Sequence, residues 1–300
     1  MVLVQNCMPP SRENWEFMVW IWQFFPLITI AQWIPAVNRI YQMGKTSSDS
    51  RFNIPGRIAW ITMEIPGPLS LIYIMLTVPS SIGLRGLPWE NKVMGAFYVL
   101  HYINRAIISP LIAPSISPIA PHIWLFAAVF QLSNGISIGG WLGGYGNTTA
   151  ADWQNHEANY KAGGRMELGM MIFFLGFLAN IFHDDELREI RRAAMRNQAR
   201  REAEKSEDER PKTSKGADKI YMVPRNGLFE YILYPHYLCE WIEWTGYWIM
   251  AGLGCVPARN FVINEIATML PRAVQGKQWY VQRFGEEKIA GRKAVIPGVL

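Results

Sequence analysis

Four groups of polar side chains stand inside otherwise apolar stretches of this sequence. In LFEYILYPHYLCEWIEWTGYWIMAGLGCV, Leu228 to Val256, the residues His236, Glu240 and Glu243 fall at i, i+4 and i+7, with Glu230 off that line. In NIFHDDELREIRR, Asn180, Asp184, Arg188 and Arg191 follow at intervals of four, four and three. In LHYINRAIIS, Tyr102 and Arg105 are three apart with His101 beside them, and Glu64 precedes a proline-containing turn in MEIPGP. Side chains three and four apart share a helix face. An ionisable group at membrane depth costs several kcal/mol, about +2.5–3.5 on insertion scales, so such groups face a polar interior and mark a site. A cavity with Arg near its mouth and carboxamide, carboxylate and imidazole groups inside suits a phosphorylated, hydrogen-bond-rich ligand such as a dinucleotide. A guanidinium matches phosphate geometry bidentately.

Other chemistries find little support. The three cysteines, Cys7, Cys239 and Cys255, show no CxxC spacing, so neither a disulfide framework nor a zinc site is expected. His101, His122, His156, His183 and His236 show no HxxxH or HExxH spacing, and no metal is expected. No GxGxxG follows a strand, and the glycines of NGISIGGWLGGYG lie in or beside an apolar run, where close helix packing explains them. The net charge of +5 comes without an aromatic-interleaved basic motif, so no nucleic-acid partner is expected. A transporter would use the same intramembrane charges, but no repeat relates the two halves of the chain.

The elements that must position these groups are membrane helices. Half of the 300 residues are hydrophobic and only 18% are charged, against roughly 25% in a soluble domain. About seven runs approach spanning length: Trp15–Val37, Pro66–Leu84, Val93–Ile112, Pro121–Leu142, Met166–Phe182, Leu228–Gly252 and the short Val256–Leu270. The expected fold is an all-α integral membrane protein, one domain over 1–300, with about seven transmembrane helices enclosing a cofactor and substrate cavity. The first run has no small-residue cleavage site and reads as a retained span. Basic residues cluster after the first span (Arg39, Lys45, Arg51, Arg57), after the fifth (IRRAAMRNQARR) and in the tail (Arg272, Lys277, Arg283, Lys288, Arg292, Lys293). All three fall on one side of a seven-span chain, which places the C-terminus in the cytosol. The charged insert at about 191–219 reads as a solvated, partly disordered cytosolic loop. NTT at Asn147 is a glycosylation sequon on the lumenal side, close enough to the membrane to be expected unused.

An ordered series of motifs resembles the steroid 5α-reductase family, membrane enzymes that reduce the 4,5 double bond of 3-oxo-Δ4 steroids with NADPH. The series comprises HYINR (His101–Arg105), SNG (Ser133–Gly135), RMELG (Arg165–Gly169), N-x-x-x-D-x-x-L-R (Asn180–Arg188), Y-x-x-P-x-x-G-L-F-x-Y (Tyr221–Tyr231), H-Y-x-x-E-x-x-E-W (His236–Trp244), WYVQRF (Trp279–Phe284) and GRKAVIP (Gly291–Pro297). With Glu64 these run from there to the C-terminus, interrupted mainly by the charged insert; the first sixty residues match poorly.

The resemblance implies an oxidoreductase with NADPH as cofactor and roles for particular residues. Glu64 and Tyr102 would be the catalytic pair that meets the steroid C3 carbonyl. Asn134, Arg165, Asn180, Asp184, Arg188, Arg191, Tyr221, His236, Glu240, Arg272, Tyr280 and Arg292 would hold the cofactor. Met222 stands where some relatives have Arg, and His236 where some have Asn. The implied partners are a steroid or other lipid enone and membrane lipids, with a monomer in the endoplasmic reticulum expected. Relatives of the same fold acting on an enoyl-CoA or a polyprenol, and a non-catalytic sterol transporter or binding protein, are the alternatives.

Overall fold

The computed structural model describes residues 2–34, 37, 50–158, 164–204 and 221–300. Among them the chain is helical, with a few isolated β-bridges and no strands. Three helices are long and apolar enough to cross a membrane, Gly56–Ser81, Pro121–Tyr145 and Arg165–Arg200. They carry the expected second, fourth and fifth spans.

The first expected span is broken. Helix α1 (Arg12–Trp22) starts at Ser11, whose side chain accepts from the Asn14 N–H, and α2 (Phe25–Ile30) begins anew with Pro26 in its first turn. Pro26 has no N–H to continue the α1 ladder, and its ring clashes with a helical turn before it. The rest of that run lies partly outside the described residues.

Helices α3 (Gly56–Glu64) and α4 (Pro66–Ser81) join through Ile65, which is itself in the helical region at φ −64° and ψ −26°. Glu64 therefore does not precede a turn at a span's beginning; it stands mid-helix. Pro66 and Pro68 are tolerated because the Ile65 and Leu69 N–H groups still find the Ile61 and Ile65 carbonyls at 3.1 and 3.3 Å. Next come α5 (Trp89–Tyr102), a π-helical stretch (Ile103–Ile108) and α6 (Ser109–Ile112). Helix α7 (Pro121–Gly140) ends in a second π-helical stretch (Trp141–Tyr145), followed by the short α8 (Ala150–Ala158). The remaining helices are α9 (Arg165–Ala203), α10 (Pro235–Ala251), α11 (Val256–Phe284) and α12 (Glu286–Ile289).

The long α9 corrects the reading of the charged insert. Residues 191–203 continue the helix instead of forming a loop, because Arg, Ala and Glu are good helix formers. Ion pairs along this face, such as Arg200 with Glu204 at 3.2 Å, add local support. The rest of the insert, from 205, lies outside the described residues.

The described chain falls into two compact units, Met1–Phe177 with Glu240–Pro271, and Leu178–Cys239 with Arg272–Leu300. In the first, α7 packs against α4 through glycines. A Cβ on Gly135 would collide with Ser70 Oγ and the Gly67 carbonyl, and one on Gly139 would come within 3.0 Å of the Leu71 Cα. This close backbone approach is the small-residue packing of membrane helices, and it explains the glycine run. Large apolar side chains point outward from the same helices, among them Leu69 and Leu76 on α4 and Leu125 and Val129 on α7, while Glu64, Gln131 and Asn134 point inward. Apolar outside and polar inside is the arrangement a bilayer selects.

In the second unit the C-terminal segment is clipped to the stretch before α10. Leu233 and Tyr234 N–H donate to the Lys293 and Ala294 carbonyls, both at 2.9 Å, and the Lys293 N–H returns a bond of 3.0 Å to the Tyr231 carbonyl. That pairing fixes where Arg292 can reach.

Candidate active site in two groups of side chains

The first unit gathers the catalytic candidates into one buried cluster. Glu64 is 7% exposed, and its carboxylate accepts from Gln131 Nε2 at 2.5 Å. Tyr102, at the end of α5, is 2% exposed, and its ring packs on Tyr98 one turn earlier with centroids 4.7 Å apart. Glu64 is near enough to act electrostatically on both Tyr102 and His101, and Glu265 of α11 acts on Tyr98 and Tyr102. His101 stands edge-on to Tyr102 with centroids 4.9 Å apart, and its Nδ1 meets Glu243 Oε1 at 2.7 Å. Its Nε2 lies 3.7 Å from Glu240, which also faces Arg105 at 3.9 Å. The Arg105 guanidinium sits 5.0 Å over the Trp60 ring, whose N–H bonds the Arg105 carbonyl. Glu64 and Tyr102 thus share one cluster, joined by Tyr98, His101, Arg105, Gln131, Glu243 and Glu265.

Three of the cofactor candidates also lie in this unit. Glu240 belongs to the cluster just described. Asn134 accepts from the Trp22 indole at 2.7 Å, leaving its own amide N–H group buried and unpaired. Arg165 donates to the Ile249 and Met250 carbonyls in the last turn of α10, so it secures a helix C-terminus. Among the described residues of this unit, Tyr98 OH, Gln131 Oε1, Asn134 Nδ2, Ser137 Oγ, Glu243 Oε2 and Tyr247 OH are buried without a protein partner. Buried polar groups are nearly always satisfied, so these open donors and acceptors are able to meet a polar ligand.

The second unit holds the other nine candidates. Asn180 donates to the His236 carbonyl at 2.8 Å, and Arg188 is held by Asp184 at 3.7 Å and by Asp185. Tyr221 packs on Trp279 with centroids 4.9 Å apart, and the Arg283 guanidinium lies 5.5 Å from both rings. Tyr280 is fully buried; burial pushes its hydroxyl up, opposed by the charges of Arg191 and Arg292. Burial likewise pushes Tyr221 up, opposed by Arg191 and Arg283. Arg292 bonds the Pro224 carbonyl at 2.7 Å, and burial lowers its affinity for its proton, with the Arg225 charge adding to the effect and Glu230 resisting it. The buried Arg272 Nε has no partner among the described residues.

Arg191, Arg225, Arg283 and Arg292 therefore converge around two tyrosines, close enough for Arg225 and Arg292 to repel. Such a group stabilises an incoming anion, and the phosphates of a dinucleotide fit it. Sequence reasoning brought forward Arg191, Tyr221, Tyr280 and Arg292 but missed Arg225 and Arg283. Arg283 could have been noticed inside WYVQRF; Arg225 carried no signal.

Comparison with known proteins identifies the family. A family profile described as 3-oxo-5-alpha-steroid 4-dehydrogenase matches residues 204–300. The chain is 31% identical over 283 residues to Steroid 5-alpha-reductase DET2 of Solanum lycopersicum, covering 91% of each chain. It belongs to the steroid 5α-reductase family. Within that family it is also 28% identical over 255 residues to 3-oxo-5-alpha-steroid 4-dehydrogenase 1 of Bos taurus, covering 84% of each. An uncharacterized protein of Schizosaccharomyces pombe is 34% identical over 259 residues, 83% of this chain and 86% of that one. The family is one of oxidoreductases.

Proposed function

We propose that this 5α-reductase family member reduces the 4,5 double bond of 3-oxo-Δ4 steroids, with NADPH as the reductant. The observation that carries the reading is the likeness to the tomato enzyme along 91% of both chains. NADPH, when bound, supplies the hydride that adds at C5. As it adds, negative charge builds on the C3 carbonyl oxygen of the enone. Tyr102, in a dry setting, donates a hydrogen bond to that oxygen, and a donor aimed at developing charge is worth most where water is excluded. Glu64, one oxygen held by Gln131, donates the proton of its carboxyl as a second hydrogen bond to the same oxygen. C4 then takes a proton, delivered by water.

In this reading Arg188, Arg191, Arg272 and Arg292 meet the anionic part of the cofactor, with Asn180, Asp184, Tyr221, His236 and Tyr280 beside them. The resemblance implies a cofactor role for Asn134, Arg165 and Glu240 of the first unit as well. The apolar faces of the three long helices support a membrane setting. We assign seven spans, the endoplasmic reticulum, a cytosolic C-terminus and a monomer on the loop charges and the family. A bilayer-facing route suits a substrate barely soluble in water.

The test is NADPH consumption by purified, detergent-solubilised protein with progesterone or testosterone, set against an enoyl-CoA. Oxidation of NADPH driven by the steroid is expected. Reduction of the enoyl-CoA alone would place the chain among lipid reductases of the same fold, and absence of NADPH binding would overturn the enzyme reading.

A further inference from the structure

Tyr98 lies one helical turn before Tyr102 on α5, and none of its surface is exposed. Its ring is fixed by Tyr102, Trp244 and Phe261, at centroid distances of 4.7, 5.6 and 6.2 Å. Ring packing of this kind asks for a phenyl group and not for a hydroxyl. Yet the hydroxyl is present and points at α4. A Cβ added to Gly67 would meet it at 3.1 Å, and would meet Gln131 Oε1 at 3.0 Å. Gly67 is three residues after Glu64, on the same helix face, and Gln131 is the residue that holds Glu64.

The Tyr98 hydroxyl therefore stands between the Glu64–Gln131 pair and Tyr102. It lies within pairing reach of the Tyr102 hydroxyl, and at strict hydrogen-bond geometry it has no partner among the described residues. A buried hydroxyl left without a well-formed bond is costly, so its presence points to a bound state that uses it. Hydrogen bonds at catalytic sites are often long before substrate arrives and tighten in the complex.

We propose that Tyr98 is a positioning residue whose hydroxyl donates to the phenolic oxygen of Tyr102, aiming the Tyr102 proton at the substrate carbonyl. The inference rests on the reductase reading given above. Tyr102 has a single proton. With it aimed at the carbonyl, its oxygen is left able to accept, and Tyr98 is the donor one turn away. Donation from Tyr98 also stabilises the charge that Tyr102 gains as its proton moves toward the enolate oxygen.

The experiment compares Tyr98→Phe, Tyr102→Phe and wild type as full-length protein in detergent, measuring kcat and KM for a 3-oxo-Δ4 steroid, NADPH affinity and the melting temperature. Tyr98→Phe should lower kcat roughly tenfold, the worth of one buried hydrogen bond, with KM and NADPH affinity unchanged. Its melting temperature should hold or rise, because an unpaired buried hydroxyl is gone. A role in packing alone predicts wild-type kcat in Tyr98→Phe, and that result beside a slow Tyr102→Phe would overturn the inference while leaving the reductase reading intact. A fall in kcat matched by a fall in melting temperature would also overturn it. Wild-type turnover in Tyr102→Phe would instead remove the reading on which the inference rests.

Discussion

Gln131→Met tests whether the Glu64 carboxyl works through the arrangement described. Met keeps the length and flexibility of the side chain but removes the Nε2 donor that lies 2.5 Å from Glu64 Oε2. A hydrogen bond between neutral groups contributes about 0.5–1.5 kcal/mol. If that bond orients the carboxyl in the transition state, its loss costs roughly 2- to 12-fold in kcat, at about 1.4 kcal/mol per decade. Gln131 is 6% exposed, and Met fills nearly the same volume, so the packing of α7 against α4 is kept. Steady-state steroid reduction at saturating NADPH reads kcat, and fluorescence titration reads the cofactor affinity, which should not move. Wild-type kcat in a folded Gln131→Met protein would refute the idea that Glu64 depends on Gln131.

Further outcomes follow from the other groups. Arg191→Ala and Arg292→Ala should each raise the NADPH dissociation constant roughly 10- to 150-fold, the loss of one charge-assisted contact. Measured by titration, an unchanged constant in both would remove the phosphate role. Asp152 caps α8: its carboxylate accepts from the Thr148 and Thr149 N–H groups at 3.1 and 2.9 Å, and the Thr149 hydroxyl, then these amides, hold its pKa low. A lowered folded pKa gives stability that is present above the unfolded value of about 3.9 and lost as pH falls through the folded one. Wild type should therefore outlast Asp152→Asn at neutral pH, by a margin that solvent screening keeps small, and the margin should vanish as acid protonates the folded carboxylate, read from melting curves. Gly135→Val should lower the melting temperature, since its side chain would enter Ser70 and the Gly67 carbonyl; an overpacking cost of about 1–3 kcal/mol is expected. Asn147 carries a buried Nδ2, so endoglycosidase treatment should leave the protein's gel mobility unchanged.

Parts of this site could be read from sequence because periodicity and short motifs express local geometry. Glu64 and Tyr102 were named from the motifs around them, and they do occupy one buried cluster. The glycines of α7 were read as packing residues, and a Cβ there does collide with α4. What remained hidden was long-range pairing. His101 and Glu243 bond across 142 residues of sequence, and nothing at either position announces the other. Gln131 is a neutral amide in an apolar run, and Tyr98 looks like core; only packing reveals that both approach Gly67. The interrupted first span failed on Pro26, where hydropathy alone cannot distinguish a broken helix from a continuous one. Glu64 was displaced from a helix start to a helix middle because proline is a weaker breaker where its missing N–H is compensated by neighbouring bonds.

The central claim is that hydride reaches C5 of a 3-oxo-Δ4 steroid. The most direct measurement is single-turnover reduction of progesterone with NADPH deuterated at the transferring position, followed by mass spectrometry and NMR of the steroid. The account predicts a singly labelled product with deuterium at C5, hydrogen from solvent at C4, and loss of the label in Tyr102→Phe over the same time. Unlabelled steroid recovered beside oxidised cofactor, or deuterium at C4, would contradict it.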